Sequence, residues 1–297
     1  MKTFTKYFKI AGVTITVNSD LPITENTFHP KFKLFETDAP GKDNISIHHH
    51  FESPKNLDIK NAATVYDRRP WSIYRTDKYW IYKRVHEFPD KLEHHCTAFF
   101  NHSYTHVDIY NEAIKKEQYE NGSLDSLTLF PTDQILLAKI FAHRNGCFFH
   151  SNGVILDNKG FLFLGHSGYG KSTIAKMVEK IGGQIVCDDR ILTKKVSGQI
   201  KIYGTWCHGK EQIYSSKISL LNAIFFLNKA NTNEIVPITD NKQRIHQLLS
   251  YIIKPLVTKD WWEHNFNLIE FISQKVPCYN LKFDKSGEIL DLIRKIE

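Results

Sequence analysis

Long apolar runs, paired cysteines and repeats are all missing from this sequence of 297 residues. No stretch approaches the ~18 uncharged apolar residues that a membrane-spanning helix needs, so we expect no membrane partner. The first residues, MKTFTKYFKIAGVTITVNSD, contain no continuous apolar segment followed by small residues, which argues against a signal peptide. These absences favour a cytoplasmic protein.

Cysteine is scarce and irregularly placed. The five cysteines are odd in number, and no two of them form a Cys-x-x-Cys pair. They are Cys96, Cys147, Cys187, Cys207 and Cys278. We therefore predict free thiols in a reducing compartment rather than a disulfide framework.

Positive charge is in excess but diffuse. The 39 Lys and Arg against 32 Asp and Glu give a formal net charge of +7, which suits anionic ligands such as nucleotides. The nearest approaches to basic clusters, in YDRRP and TKK, are short, so we do not expect nucleic-acid binding. Apolar and charged contents of 41% and 24% fit a folded soluble protein.

The front of the chain, residues 1–128, reads as a β-rich (α+β) domain of unknown role. VTITV alternates and predicts a strand with Val13, Ile15 and Val17 on one face. WSIYRTDKYWIYKRV predicts a hairpin around Thr76-Asp77-Lys78, since aromatic and β-branched residues favour strands. His48-His49-His50 has no partner set at metal-ligand spacing, and we interpret it as a surface histidine run rather than a zinc site.

The rear of the chain, residues 129–297, has an α/β texture. TDQILLAKIFAHRNG predicts a helix with Asp133 in its first turn and Gly146 at its end. GVIL, FLFL and QIVC predict buried strands, and STIAKMVEKIGG predicts a helix with Ile174, Val178 and Ile181 facing inward. A hairpin is expected at Ser197-Gly198, and EIVPIT is expected to be an edge strand because of its proline.

A glycine-rich segment between the predicted strand FLFL and the following helix fits the pattern G-x-x-x-x-G-K-[ST]. Glycines let successive backbone N–H groups point at one anion, Lys171 supplies charge to the outer phosphates, and Ser172 can offer its hydroxyl to Mg²⁺. The predicted ATP-binding residues are Gly165, His166, Ser167, Gly168, Tyr169, Gly170, Lys171, Ser172 and Thr173. The alternative is a glycine-rich turn with an ordinary surface lysine.

Two further features fall near this segment in sequence. Asp188 and Asp189 end the strand QIVC, and side-chain alternation along a strand predicts that they point in different directions. One can hold the metal while the other takes a proton from an acceptor hydroxyl, and the alternative is a solvated pair at a strand end. His150 precedes the strands that lead into the glycine-rich segment, where it either reaches the phosphates or merely ends a strand.

Weaker candidates come later in the chain. The turn-rich stretch GTWCHGKE offers His208, Lys210 and Glu211 to the site. Arg244 is either a residue that stabilises phosphoryl charge or a surface helix arginine.

The stretch FHSNGVILDNKGFLFLGHSGYGKSTIAKMVEKIGGQIVCDDR resembles the catalytic core of HPr kinase/phosphorylase, a family that shares its nucleotide-binding fold with ATP-dependent phosphoenolpyruvate carboxykinase. The resemblance implies a P-loop-containing catalytic domain in residues 129–297. It also implies that His150 lies near the phosphates, that Lys171 contacts them, and that Ser172 and Asp189 hold Mg²⁺. Asp188 would then be the catalytic base, although from the residues alone either aspartate can take either role.

The layout of a β-rich front followed by LFPTDQILLAKIFAHRNGCFFHSNG is similar to HPr-kinase-like proteins found beside peptide-modification machinery. GTWCHGKE resembles a GT-x-x-HG-type segment of that group, and the glycine-rich signature that follows the site in true HPr kinases is not recognisable. The resemblance therefore implies neither HPr as the acceptor nor the reverse phosphorylase reaction. It leaves a homo-oligomer as an open alternative.

Three functions are compatible with these residues. The leading hypothesis is an Mg²⁺-ATP-dependent kinase that transfers the γ-phosphoryl group to a hydroxyl, with a serine of a protein or precursor peptide as the expected acceptor. The second is a kinase of a small molecule such as free serine, or a carboxykinase-like enzyme whose extra ligands we do not find. The third is a non-catalytic ATP-binding regulatory module, against which the presence of both aspartates argues.

Overall fold

The chain folds as two units, Met1–Leu136 and Leu137–Glu297, each with its own sheet. A computed structural model describes residues 4–52, 62–87, 92–128, 130, 132–209, 212–254 and 258–296. Together the two units make a mixed α/β protein with large sheets and a few helices.

The described part of the first unit forms a nine-stranded sheet in the order β3-β1-β2-β4-β9-β8-β7-β6-β5. Its strands are β1 (Phe4–Ile10), β2 (Val13–Ser19), β3 (Glu36–Thr37), β4 (Asn44–His50), β5 (Ala63–Arg68), β6 (Trp71–Arg75), β7 (Tyr79–Glu87), β8 (Leu92–Asn101) and β9 (His106–Asn111). A 3₁₀-helix at Pro30–Phe35 and helix α1 (Ala113–Asn121) accompany the sheet.

Two predictions for this unit are confirmed. Val13, Ile15 and Val17 all lie in the core on β2. The predicted hairpin forms from β6 and β7, which pair antiparallel. Strand β4 lies between β2 and β9 and runs parallel to both, which places it in the middle of the sheet.

The histidine run lies on β4, and the prediction of a surface run is wrong for its middle member. Ile45, Ile47 and His49 alternate into the core, whereas His48 and His50 face the other side of the sheet. The His49 Nε2 atom lies 2.7 Å from the Leu127 carbonyl oxygen, so in this contact the imidazole N–H donates to the carbonyl. His49 is therefore a buried, hydrogen-bonded core residue.

We expect His49 to remain neutral well below the pH at which an exposed histidine becomes protonated. Its complete burial lowers its pKa from 6.5 to about 4. Between these two values the unfolded chain binds a proton that the folded chain does not. As the pH falls through this range, this group therefore lowers the free energy of unfolding by about 1.4 kcal/mol per pH unit. NMR titration of ¹³C-histidine-labelled protein checks this, with His49→Gln used to assign the signal. A His49 signal that titrates near 6.5 would contradict the burial argument.

The second unit contains the other large sheet, with the path β10-β14-β15-β16-β12-β11-β13 and with β18 paired to β16 and β17. Its strands are β10 (Gly146–Phe149), β11 (Ser151–Leu156), β12 (Lys159–Leu164), β13 (Gln184–Cys187), β14 (Ile191–Val196), β15 (Gln199–Tyr203), β16 (Ile218–Lys229), β17 (Glu234–Pro237) and β18 (Cys278–Phe283). Its helices are α3 (Lys171–Lys180), α4 (Asn241–Tyr251), α5 (Lys259–Lys275) and α6 (Ile289–Arg294), and α2 (Gln134–Ala142) contains the division between the units.

Helices cover both faces of this sheet. Phe161 and Phe163 on β12 pack into one core cluster with residues of α3 and α6, whereas Leu162 and Leu164 belong to a second cluster with residues of α4 and α5. Each fully buried side chain of this kind contributes ~1.5–3 kcal/mol. A strand buried on both faces needs apolar residues at every position, which explains the continuous run FLFL.

The order of the strands brings three chain segments to one edge of the sheet. β11 lies between β12 and β13 and runs antiparallel to both. The start of β11 therefore lies at the same edge as the ends of β12 and β13. His150, the glycine-rich loop and the aspartate pair adjoin these three strand ends.

Several local predictions hold and others need correction. The hairpin turn at Ser197-Gly198 and the edge position of β17 are confirmed. Helix α2 begins at Gln134 and ends at Ala142. Asp133 precedes the helix, and its carboxylate accepts hydrogen bonds from the backbone N–H groups of Leu127 and Thr128. Gly146 opens β10 instead of ending the helix.

The inward face of α3 is shorter than predicted, because Ile181 lies beyond the helix and is exposed. Ile174 and Val178 are buried as expected. All five cysteines are buried free thiols. Among the described residues, no helix combines the length and the apolar character needed to cross a bilayer.

Candidate active site

The glycine-rich loop joins β12 to α3. Gly170 precedes the helix with φ of +94°, in the left-handed region that favours glycine. A Cβ atom at this position would also lie 2.6 Å from the Phe283 ring. Gly170 has no side chain to cap α3, and the positive end of the helix dipole lies at the loop. A helix start of this kind favours a bound anion.

Lys171, the first residue of α3, is folded back onto the loop. Its ammonium group donates a hydrogen bond to the Gly165 carbonyl oxygen at 2.7 Å and lies 3.1 Å from His150 Nε2. Burial lowers the pKa of Lys171, and the nearby Asp189 opposes this effect. The ammonium thus lies among two neutral groups and one carboxylate. A bound anion would attract it away from the neutral groups.

His150 shares one ring nitrogen between two partners. Its Nε2 atom lies 3.1 Å from Lys171 Nζ and 3.0 Å from Asp189 Oδ1. Burial lowers the pKa of His150, and Asp189 partly opposes this, so the neutral form of the ring is favoured. A neutral nitrogen either accepts from Lys171 or donates to Asp189, but not both. His150 therefore links the lysine to the aspartate.

Asp189 is held from two sides. One carboxylate oxygen contacts His150 and the other forms an ion pair with Arg190 Nη1 at 2.6 Å. Its φ of +67° is uncommon for a residue other than glycine. The chain therefore leaves strand geometry at Cys187, and strand alternation does not govern the aspartate pair.

Asp188 is almost fully buried and is oriented by the backbone. Its Oδ1 atom accepts hydrogen bonds from the N–H groups of Gly209 and Ile213, at 3.2 and 3.1 Å. Two such donors fix the orientation of the carboxylate. Asp188 is thus a positioned carboxylate and not a solvated residue at a strand end.

Gly209 also belongs to the site, although the sequence analysis named only His208, Lys210 and Glu211 as candidates within GTWCHGKE. A Cβ atom there would lie 2.5 Å from Asp189 Cβ and 2.8 Å from Asp188 Oδ2, so only glycine fits against the pair. His208 is turned aside, with Nδ1 2.9 Å from the Gly209 carbonyl oxygen, and does not line the cavity described next. Lys210 and Glu211 lie outside the described residues.

These groups surround one cavity of ~400 Å³. It is lined by His150, Asn152, His166, Ser167, Gly168, Gly170, Lys171, Ser172, Thr173, Asp188 and Asp189. Of the predicted site residues, Gly165 and Tyr169 do not line it. Gly165 instead accepts the Lys171 hydrogen bond, and Tyr169 lines an adjoining cavity of ~710 Å³ together with Lys229 and Phe283.

Asn152 and Arg190 were missed by sequence reasoning. Asn152 lies two residues after His150 and lines the same cavity, and its Oδ1 atom accepts a long hydrogen bond from the Asp189 N–H group at 3.4 Å. The available signal for Asn152 was its position on β11, two residues after His150. Arg190 directly follows the aspartate pair in sequence. This adjacency was the signal that could have identified it as the ion-pair partner of Asp189.

Arg244 has a structural role. Its guanidinium donates to the carbonyl oxygens of Ile238 and Ser273, at 2.6 and 2.9 Å, and so connects α4 to the segment after β17 and to α5. It does not line the cavity. The hypothesis that it stabilises phosphoryl charge has no support in its contacts.

Comparisons with known proteins identify the family. A family model described as SynChlorMet cassette protein ScmC matches residues 132–296, more than half of the chain. No curated protein matches the chain. Among solved structures, it is similar to the Hpr(Ser) kinase/phosphatase from Coxiella burnetii, with a TM-score of 0.29, 13% identity, and coverage of 50% of this chain and 92% of that one. The match over residues 132–296 includes every residue of the site described above, and the chain belongs to the family of SynChlorMet cassette protein ScmC.

Proposed function

We propose that this protein is an Mg²⁺-ATP-dependent kinase that transfers the γ-phosphoryl group to a hydroxyl, with a serine of a protein or precursor peptide as acceptor. The observation that supports it best is the shared cavity. A lysine ammonium, the start of a helix and two carboxylates all line the same ~400 Å³ space. Phosphoryl transfer needs positive charge on the phosphates and a carboxylate at the incoming oxygen, and these groups supply both.

The donor set fits a nucleotide with its metal ion. The loop amides, the α3 N-terminus and Lys171 would bind the phosphates. The Ser172 hydroxyl and an Asp189 carboxylate oxygen are the hard oxygen ligands that Mg²⁺ prefers. The aromatic rings of Tyr169 and Phe283 in the adjoining cavity offer a stacking surface for the base. When bound, the metal ion would neutralise charge on the phosphate oxygens.

Each polar side chain then has a distinct task. Lys171 leaves the Gly165 carbonyl oxygen and His150 to pair with a phosphate, because an anion attracts the ammonium more strongly than these neutral groups do. His150 is then able to donate its Nε2–H to Asp189 or to a phosphate oxygen. Asp188, fixed by two backbone N–H groups, accepts the proton of the acceptor hydroxyl as its oxygen bonds to the γ-phosphorus. The bond between the γ-phosphorus and the β–γ bridging oxygen breaks, and ADP leaves.

Transfer is tested directly with labelled ATP. The purified chain is incubated with Mg²⁺ and [γ-³²P]ATP, and with serine-containing peptides, free serine or the products of neighbouring genes, since a cassette protein is expected to act with these. Phosphoserine on a peptide supports the proposal. Faster turnover of free serine indicates a small-molecule kinase. ATP binding with no loss of the γ-phosphate to any acceptor indicates a regulatory module and contradicts the proposal.

Gly209→Ala is expected to lower transfer and also to reduce stability, because the aspartates must move. The new Cβ would displace both aspartates, and a misplacement of ~1 Å can cost about 10²-fold in rate. The rate constant and the melting temperature are measured together. Gly198→Ala is the matched control. It lies at the β14–β15 turn with φ of +79°, so alanine there should be slightly less stable. A Cβ at this position meets nothing within 4 Å, so the variant should be fully active. Equal activity of the two variants would show that the contact with Gly209 does not position the aspartates.

A further inference from the structure

A second polar cluster lies in the first unit, on the solvent-facing side of the sheet. His48 and His50 occupy alternate positions on β4 and so project from the same face. Asp20 follows β2 directly, and its N–H group donates to the His49 carbonyl oxygen, which extends the strand pairing by one residue. Asp108 lies opposite His48 on β9. Three neighbouring strands thus bring two imidazoles and two carboxylates together.

The contacts within the cluster converge on Asp20. Its Oδ1 atom lies 2.8 Å from His48 Nε2, and its Oδ2 atom lies 3.2 Å from His50 Nδ1. One potential ligand atom from each of Asp20, His48 and His50 can be chosen so that all three lie within 4.8 Å of one another. All three side chains are partly exposed, so a solvated ion can reach them.

The second nitrogen of His50 is also engaged. His50 Nε2 lies 3.1 Å from Asp108 Oδ1, while Nδ1 points at Asp20. A metal-bound histidine usually donates its other ring N–H to a carboxylate, which fixes the tautomer and the orientation of the ring. The His50 ring is further fixed by stacking between His48 and Tyr110, with centroids at 4.1 and 4.7 Å.

Two carboxylates lie beside the stacked imidazole rings, whose centroids are 4.1 Å apart. Their negative charge favours a cation at this cluster. A divalent metal ion would accept imidazole lone pairs and compensate the carboxylates.

We propose that Asp20, His48 and His50 bind one divalent transition-metal ion, with Asp108 as a positioning residue for His50. Two imidazoles and a carboxylate suit Zn²⁺, at which such three-ligand sites leave a further position open. His49 takes no part because its ring faces the core. This site is independent of the proposed ATP site, which lies in the other unit.

The test is a metal titration of the tag-free full-length chain after removal of metals with a chelator. Zn²⁺ affinity and stoichiometry are measured by calorimetry at about pH 8, where protons compete little for the histidines. Co²⁺ serves as a spectroscopic probe of the ligands. We expect one equivalent bound, loss of binding in His48→Gln and His50→Gln, and an affinity about 10–100-fold weaker in Asp108→Asn.

Two controls separate this site from other metal-binding groups. His106→Gln changes an exposed histidine on β9, two residues before Asp108 and outside the cluster, and should leave affinity unchanged. Asp291→Asn removes an exposed carboxylate on α6 in the other unit and should also leave it unchanged. Circular dichroism verifies that each variant is folded. The absence of a stoichiometric site, or equal affinity in folded His50→Gln and the wild type, would overturn the proposal and leave a hydrogen-bonded cluster only.

Discussion

Asp188→Asn is expected to lower phosphoryl transfer by about 10²–10⁴-fold while ATP affinity changes little. Asparagine has nearly the same shape and keeps an oxygen that can accept from the Gly209 and Ile213 N–H groups, so the fold should survive. It cannot take a proton from the acceptor hydroxyl. The proposed mechanism assigns that step to Asp188 and to no other residue.

The measurement pairs single-turnover rates with ATP binding by calorimetry. Asp291→Asn, at an exposed position on α6, is the matched control and should behave as the wild type. Full activity in Asp188→Asn would remove Asp188 as the base. If Asp189→Asn instead abolished transfer and kept ATP affinity, the roles of the two aspartates would be exchanged.

Lys171→Met is expected to weaken both ATP binding and transfer. Loss of a charged hydrogen bond costs ~1.5–3 kcal/mol, which corresponds to about tenfold or more in ATP affinity. The transfer rate should fall further, by about 10²–10³-fold, because charge on the phosphoryl oxygens increases in the transition state. Methionine keeps the length and apolar stem of lysine, so the packing of α3 is preserved.

Equilibrium binding of ATP and single-turnover transfer separate the two effects. Lys180→Met removes an exposed charge from the other end of α3 and controls for the change in net charge. Unchanged ATP affinity in Lys171→Met would favour the ordinary surface-lysine interpretation, although Lys171 is only 9% exposed in the structure. Weaker ATP binding with an unchanged rate constant for transfer would mean that Lys171 stabilises bound ATP and the transition state equally.

Local patterns were sufficient to predict many of the elements. Alternation identified β2, and the continuous apolar run FLFL identified a strand buried on both faces, because each pattern reports directly which faces of a strand are covered. Helix ends were less predictable. Asp133 has the character of a first-turn residue, yet it precedes α2 and its carboxylate accepts hydrogen bonds from two preceding N–H groups.

The histidine run shows the limit of reasoning from neighbouring positions. Its sequence contains no metal-ligand spacing, since the two carboxylates that meet His48 and His50 come from distant segments. The parallel pairing of β4 with β2 and β9 creates that proximity. It also buries His49 between two partly exposed neighbours.

The sequence by itself determined the glycine-rich loop, its lysine and the adjacent aspartates, because short-range backbone chemistry requires those residue types in that order. Only the tertiary structure decided that these groups share a cavity. β11 lies between β12 and β13, so His150, Lys171 and Asp189 meet at one edge although whole strands and a helix separate them in the chain. Gly209 approaches the aspartates for the same reason, since a contact between distant segments depends on strand order and leaves no periodic signal in the sequence.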